Sequence, residues 1–272
     1  MSTVLDRRAA LGLSLVGLAT AVAAPAQAVG AMKHYILVDL KPGVDQLVLD
    51  RWYMTFHAPE VRRAFKAWQR NYVSFRSYLP PEEARAAYRL LYGRMTEIHF
   101  DSLADFQESR PNNIYSGQGL GAFTPPPGGW AAAPFTSTTA SLPVNPQHMH
   151  LNTNTPPKQT PYLRWIVFFR YPDGVTAEQG DAWYRGSYAP EAAKRPGLKR
   201  YATYEAVSRA AEYPRVAELW FDDYAAWKAA FLPRPQLPAP PWGGRGLFAD
   251  GLSMFIGENP DVDFVNDRRA IP

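Results

Sequence analysis

The sequence contains no cysteine. That excludes disulfides, thiolate nucleophiles and cysteine-ligated metals or iron–sulfur clusters. Histidine is scarce as well: there are five in the chain, at positions 34, 57, 99, 148 and 150, and none beyond. A dominant charge of one sign is also lacking, since 29 basic residues stand against 25 acidic ones for a formal net charge of +4. The basic residues are scattered among acids rather than gathered into a stripe, so no nucleic-acid partner is expected. The one long apolar run lies near the start, where ALGLSLVGLATAVAA follows Arg7-Arg8 and ends near the small-residue stretch Ala26-Gln27-Ala28. It is short for a membrane span and is interrupted by Gly12 and Gly17. It reads as a cleaved export signal over 1–28, with no stable membrane insertion afterwards. The arginine pair loosely resembles a twin-arginine signal, with Ala10 where an aromatic or Leu is usual, so the route stays open between twin-arginine and Sec export, and the expected destination is the periplasm.

What is present is repetition. DRWYMTFHAPEVRR, residues 50–63, returns as DAWYRGSYAPEAAK, residues 181–194, and the same offset of 131 relates Gly43-Val44 to Gly174-Val175. With 272 residues and 46% hydrophobic content, a tandem duplication predicts two small units rather than one large one. The first copy reads as a strand over 33–40 and a helix capped by Asp45. That helix is expected to break at Ala58-Pro59-Glu60, because a residue before proline avoids the helical region. A strand over 71–78, an inserted helix over 80–91, a strand over 94–101, a helix from Leu103 and a strand near 135–142 follow. The second copy repeats the plan with strands over 163–171, 201–207, 215–222 and 252–257. The order β-α-β-β-α-β makes each copy a ferredoxin-like α+β unit. The expected division is signal 1–28, first repeat 32–145, a Pro/Asn-rich linker 146–161, second repeat 162–257 and a tail 258–272.

The motifs of the repeats resemble a known family. Trp52 and His57-Ala58-Pro59 in the first copy, with Trp183, Ala189-Pro190 and Pro196-Gly197-Leu198-Lys199-Arg200-Tyr201 in the second, are similar to the EthD-like family of the dimeric α/β-barrel group. The resemblance implies that the two antiparallel sheets pair face to face into one barrel, here within one chain, and leaves homo-oligomers open. The group includes cofactor-free isomerases, cyclases and monooxygenases as well as haem proteins, so fold does not fix function.

His57 is the sharpest candidate, since it fits the family pattern, is replaced by Tyr188 in the second copy, and carries a group suited to moving protons near neutrality. Its plainer reading is a helix-end histidine bonded to a local carbonyl. In the strand RMTEIHFD, alternation turns Ile98 and Phe100 toward the helices and Glu97 and His99 toward the other face. If that face lines the barrel, burial is expected to raise the carboxyl pKa and lower that of the imidazole, as acid–base catalysts require. The plainer reading is a solvated pair. Catalytic candidates are therefore His57, Glu97 and His99. With aromatics at 14% of the chain, Tyr35, Tyr53, Trp183, Tyr188, Glu218 and Trp220 are candidates for binding a flat substrate, although most aromatics serve the core. His148-Met149-His150 lacks a neighbouring carboxylate, and no metal is expected there. The glycine-rich segment 116–121 follows a helix rather than a strand, which argues against a phosphate loop.

Together these residues predict an exported, cofactor-independent lyase or isomerase acting on a small aromatic or phenolic ligand, including C–C cleavage that releases a small aldehyde. One alternative is a haem barrel of the dye-decolourising peroxidase type. Against it stand the lack of histidine in the second copy, where a proximal ligand is expected, and Arg170 in place of the first glycine of G-x-x-D-G. The other alternative is a periplasmic aromatic-binding protein without turnover.

Overall fold

The computed structural model describes residues 32–65, 68–109, 123–143, 148–152, 158–208, 211–232, 237–244 and 246–264. The expected export signal and the 116–121 segment lie outside the described residues. The first repeat comprises β1 (Met32–Leu40), α1 (Gln46–Trp52), a π-helical turn (Tyr53–His57), α2 (Ala58–Phe65), β2 (Gln69–Arg76), α3 (Glu82–Ala87), β3 (Arg89–Leu90), β4 (Gly93–Phe100), α4 (Leu103–Ser109) and β5 (Phe135–Pro143). After β6 (His148–Asn152), the second repeat runs β7 (Leu163–Phe169), α5 (Ala177–Trp183), a second π-helical turn (Tyr184–Tyr188), α6 (Ala189–Ala193), β8 (Leu198–Glu205), β9 (Arg215–Phe221), α7 (Tyr224–Phe231), α8 (Leu247–Asp250) and β10 (Leu252–Gly257). A short β11 (Val262–Asp263) follows.

Local chemistry explains most of these boundaries. The turn after the first strand of each repeat needs a positive φ, which Gly43 (80°) and Gly174 (86°) supply without steric cost. Asp45 caps α1 by accepting from the Leu47 amide, and Thr176 with Gln179 forms a capping box on α5. The expected break at Pro59 is absent. Ala58 is helical (φ −63°, ψ −45°) and its amide bonds to the Tyr53 carbonyl five residues back. Within an α-helix the proline ring would strike the carbonyl four residues back, and a wider π turn relieves that clash. Ala189 bonds to Tyr184 in the same way before Pro190.

Two sheets form, ordered β11-β2-β4-β1-β5 and β3-β10-β7-β9-β8-β6. Within each, the repeat's own strands run fourth, first, third, second, the ferredoxin-like order. The ends of the two repeats are exchanged. After its fourth strand, the first repeat sends β6 to the edge of β8, and the second sends β11 to the edge of β2. Neither strand is announced by its sequence, since one lies in the Pro/Asn-rich connection and the other in the tail. The inserted segment is also shorter in helix than its composition suggests. After α3 it turns extended, and Tyr88 enters the second repeat between Trp165 and Trp227, donating to the Phe231 carbonyl at 3.0 Å. Here tertiary burial overrides helix propensity.

The core has three layers. Inner faces of both sheets meet in a shared lumen filled by Leu37, Phe75, Met95, Phe168, Val216 and Met254 among others. Outside the first sheet, α1 and α2 pack on Val38, Ile98 and Phe100, and outside the second, α7 and α8 pack on Trp165, Phe169 and Phe221. The sheets are also stitched at one seam. Ser77 bridges Ile256, and the Leu91 amide bonds the Ser253 carbonyl at 2.8 Å.

Candidate functional site

Strand alternation sorts the candidate residues into three places. Lys33, Tyr35, Glu97 and His99 point from the first sheet into the lumen, where Arg164, Glu218 and Trp220 meet them from the second. His57 and Tyr53 stand on the helix side of the first sheet. Trp183 and Tyr188 stand on the helix side of the second.

The lumen group is an ion network. Arg164 donates to Glu97 from Nη2 at 2.6 Å and to Glu218 from Nε at 3.1 Å, and its guanidinium lies over Phe75 at 4.8 Å. Glu218 also accepts from Trp220 Nε1 at 2.6 Å and from the Tyr35 hydroxyl at 3.3 Å. His99 Nε2 lies 3.4 Å from Glu97 Oε2. Burial alone would raise both carboxyl pKa values, but Arg164, helped by His99 at Glu97 and by Lys33 at both, holds them below the ordinary range. The Tyr35 phenol goes the other way, raised by burial and by the two carboxylates. The expectation of a raised glutamate pKa therefore fails, because it lacked the arginine partner supplied 67 residues away. A carboxylate held ionised by a salt bridge is a poor proton carrier at neutral pH and a good structural pin.

The helix-side site of the first repeat is aromatic. His57 ends the π turn and stacks on Trp52 at 4.8 Å, with Tyr53 at 5.3 Å and Phe123 at 6.0 Å completing the surround. Trp52 is held by Trp130 and Phe135, and its indole N–H donates to the Thr124 carbonyl at 3.0 Å. Glu60, in the first turn of α2, grips the same segment, accepting from the Thr124 hydroxyl at 2.6 Å and amide at 2.9 Å. Burial lowers the His57 pKa to about 4, so the imidazole is in its neutral, basic form at pH 7. The Tyr53 hydroxyl is engaged with Tyr72 and with Thr96 Oγ1 at 2.6 Å. Since Thr96 and Glu97 are adjacent in one strand, they face opposite sides of the sheet. The sequence expectation that Glu97 and His99 assist His57 is therefore corrected: the sheet stands between them.

The second repeat keeps the frame and changes its centre. Tyr184 and Tyr201 share a hydrogen bond at 2.8 Å, as Tyr53 and Tyr72 do, and Arg215–Asp181 repeats the buried Arg94–Asp50 pair. Tyr188 occupies the position of His57, against Trp183 at 5.4 Å and Phe248 at 5.1 Å. The exchanged β6 changes one premise of the sequence reading, because it carries histidines to this repeat. His150 tilts on Tyr201 at 5.1 Å, and His148 Nε2 accepts from Arg185 at 2.7 Å. That bond occupies the lone pair a metal would need. Among the described residues no group of three or more His, Asp or Glu side chains is arranged to hold a metal.

Sequence reasoning missed Arg164, Glu60 and Arg94. The usable signal was the repeat offset: Lys33 and Arg164 are equivalent positions, Lys33 in phase with Tyr35 and Arg164 the one charge in an otherwise apolar strand.

These sheets and helices define a dimeric α/β-barrel of two ferredoxin-like repeats closed within one chain. Among solved structures, an anthrone oxidase-like protein matches with a TM-score of 0.51 at 16% identity, covering 85% of this chain and 92% of that one. A chlorite dismutase variant from Candidatus Nitrospira defluvii matches with a TM-score of 0.45 at 10% identity, covering 84% and 91%. At these identities the likeness concerns fold alone. No family model and no curated protein matches the sequence.

Proposed function

We propose that the chain is an exported, cofactor-independent enzyme of the EthD-like family, a lyase or isomerase that moves protons on a small aromatic or phenolic substrate, with His57 as the proton carrier. The observation that carries this reading is a half-buried, neutral imidazole stacked on Trp52 within an aromatic surround, at the end of a π turn. Such turns recur at functional sites. His57 is half-buried, and a flat ring that meets its exposed side would bring an acidic O–H or C–H beside the imidazole. His57 takes that proton as base and returns it to carbon as acid. For C–C cleavage the balance closes without a cofactor: removing the hydroxyl proton forms the aldehyde carbonyl, the bonding pair passes to the aromatic carbon, and the imidazolium protonates that carbon.

His57→Ala is expected to lower kcat by about 10² to 10⁴ with the far-UV circular dichroism unchanged. The acid limb of kcat/KM is expected near pH 4, where the desolvated imidazole protonates, rather than near 6.5. A fully active His57→Ala enzyme would remove the basis of the proposal. Glu97→Gln and Glu218→Gln, which share Arg164 as partner, are expected to act on stability rather than kcat.

One observation favours a second reading, a haem barrel, because β6 brings His150 to the second repeat. The surroundings do not fit a haem ligand: the half-buried ring packs against Tyr184, Tyr201 and His148, and it lines neither the cavity beside Tyr88 and Tyr188 nor the one beside Trp242. The purified protein is expected to be colourless. A Soret band with stoichiometric haem decides for the second reading.

A further inference from the structure

The second repeat holds a cleft that the proposed chemistry leaves unused. One end is a cavity of about 220 Å³ walled by Tyr88, Tyr188, Leu237, Pro240, Phe248 and Ala249. A further cavity of about 250 Å³ shares Pro240, Gly244 and Gly246 with it and reaches Trp242 and Arg170. The first cavity draws on both repeats, since Tyr88 arrives on the inserted segment of the first. Its size exceeds the ~150 Å³ that accommodates a benzene ring, so one or two fused rings fit.

The lining selects among ligands. Among the described residues the first cavity has no charged side chain, the charged Arg170 and Asp250 belonging to the other, so the first cavity favours a neutral guest. Its side-chain polar groups are two phenols. Tyr88 is engaged, donating to the Phe231 carbonyl. Tyr188 is 5% exposed, and among the described residues its hydroxyl has no hydrogen-bond partner. Burial raises its pKa well above 10, so it remains a protonated donor at every physiological pH. The residue lines the cavity, so a ligand acceptor that enters can take the hydrogen bond this hydroxyl offers. Around it, Trp183 and Phe248 offer ring faces and edges for an aromatic guest.

We infer that this cleft is a second ligand site, separate from the His57 site, that takes a small neutral aromatic carbonyl compound whose oxygen accepts a hydrogen bond from Tyr188. It follows that Tyr188 does not hold the substrate of His57, as the sequence reading expected. The site does not depend on the chemistry proposed for the first repeat.

The test is calorimetric titration of the full chain with 1-tetralone, and with tetralin, which has the same rings but no oxygen. 1-Tetralone is expected to bind saturably, and Tyr188→Phe to weaken it about fivefold while leaving tetralin unchanged. The substitution removes only the unbonded hydroxyl, so the fold is retained. Ala239→Trp, at an exposed position lining the cavity, is expected to block both compounds. The same titration on His57→Ala is expected to match that of the parent chain. The inference is overturned by any of three results: no saturable binding of 1-tetralone at millimolar concentration, equal affinity in Tyr188→Phe and the parent, or loss of binding in His57→Ala. Activity of His57→Ala bears on the proposed reaction alone, so the two ideas fail separately.

Discussion

At the scale of single residues, Arg164 decides how the centre of the molecule behaves. Glu97 and Glu218 are 5% and 3% exposed and would repel one another without the guanidinium between them. Removing one partner of a buried ionic group leaves charge uncompensated, so Arg164→Met is expected to cost about 3–5 kcal/mol in urea denaturation. The pH dependence should reverse as well. In the parent, both carboxyl pKa values are depressed below the ordinary 4.5, so their contribution is present above that value and is lost as pH falls through the folded values. In Arg164→Met, burial raises them instead, so stability is present at low pH and falls as pH rises through 4.5 and beyond. Parallel slopes for the two proteins in that range would contradict this account. Part of this was legible in the sequence: alternation placed Glu97 and His99 on one face and Ile98 on the other. The partner was not, because a salt bridge between two sheets leaves no trace in local spacing.

At the scale of elements, strands with apolar runs and helices with caps were legible within a few residues, since both signals are local. The π turns and the exchanged strands were not. A π turn differs from an α turn by one hydrogen-bond register, and the proline that induces it reads equally well as a break. β6 and β11 are short edge strands whose stability comes from the partner they meet. Asp261, just before β11, bonds the fully buried Arg94 at 2.6 Å, and Phe264 just after it packs on Tyr72 at 5.3 Å. A chain ending at Glu258 is therefore expected to lose amide-exchange protection in β2 while β8, covered by β6, keeps its own. Equal protection of both strands in the truncated chain would show that β11 contributes nothing.

At the scale of the molecule, the repeats are coupled by a common interior rather than by a hinge. Residues 32–145 and 146–272, produced separately, are each expected to expose one lumen face and to aggregate or pair with themselves. Mixed, they are expected to form a 1:1 complex, which light scattering would detect; two stable, non-associating monomers would refute the shared interior. The duplication was visible because motif spacing survives divergence, whereas the exchange of ends depends on contacts that no repeat reveals by itself. The Arg164 network carries one more implication. In an assembly of two identical chains, every side chain occurs twice about the axis, so a substitution is always made in pairs. Position 33 is lysine where its counterpart 164 is arginine, and one guanidinium reaches both carboxylates. Only a fused chain can inherit such an odd-numbered solution, and by the same freedom His57 could remain on one side while Tyr188 arose on the other.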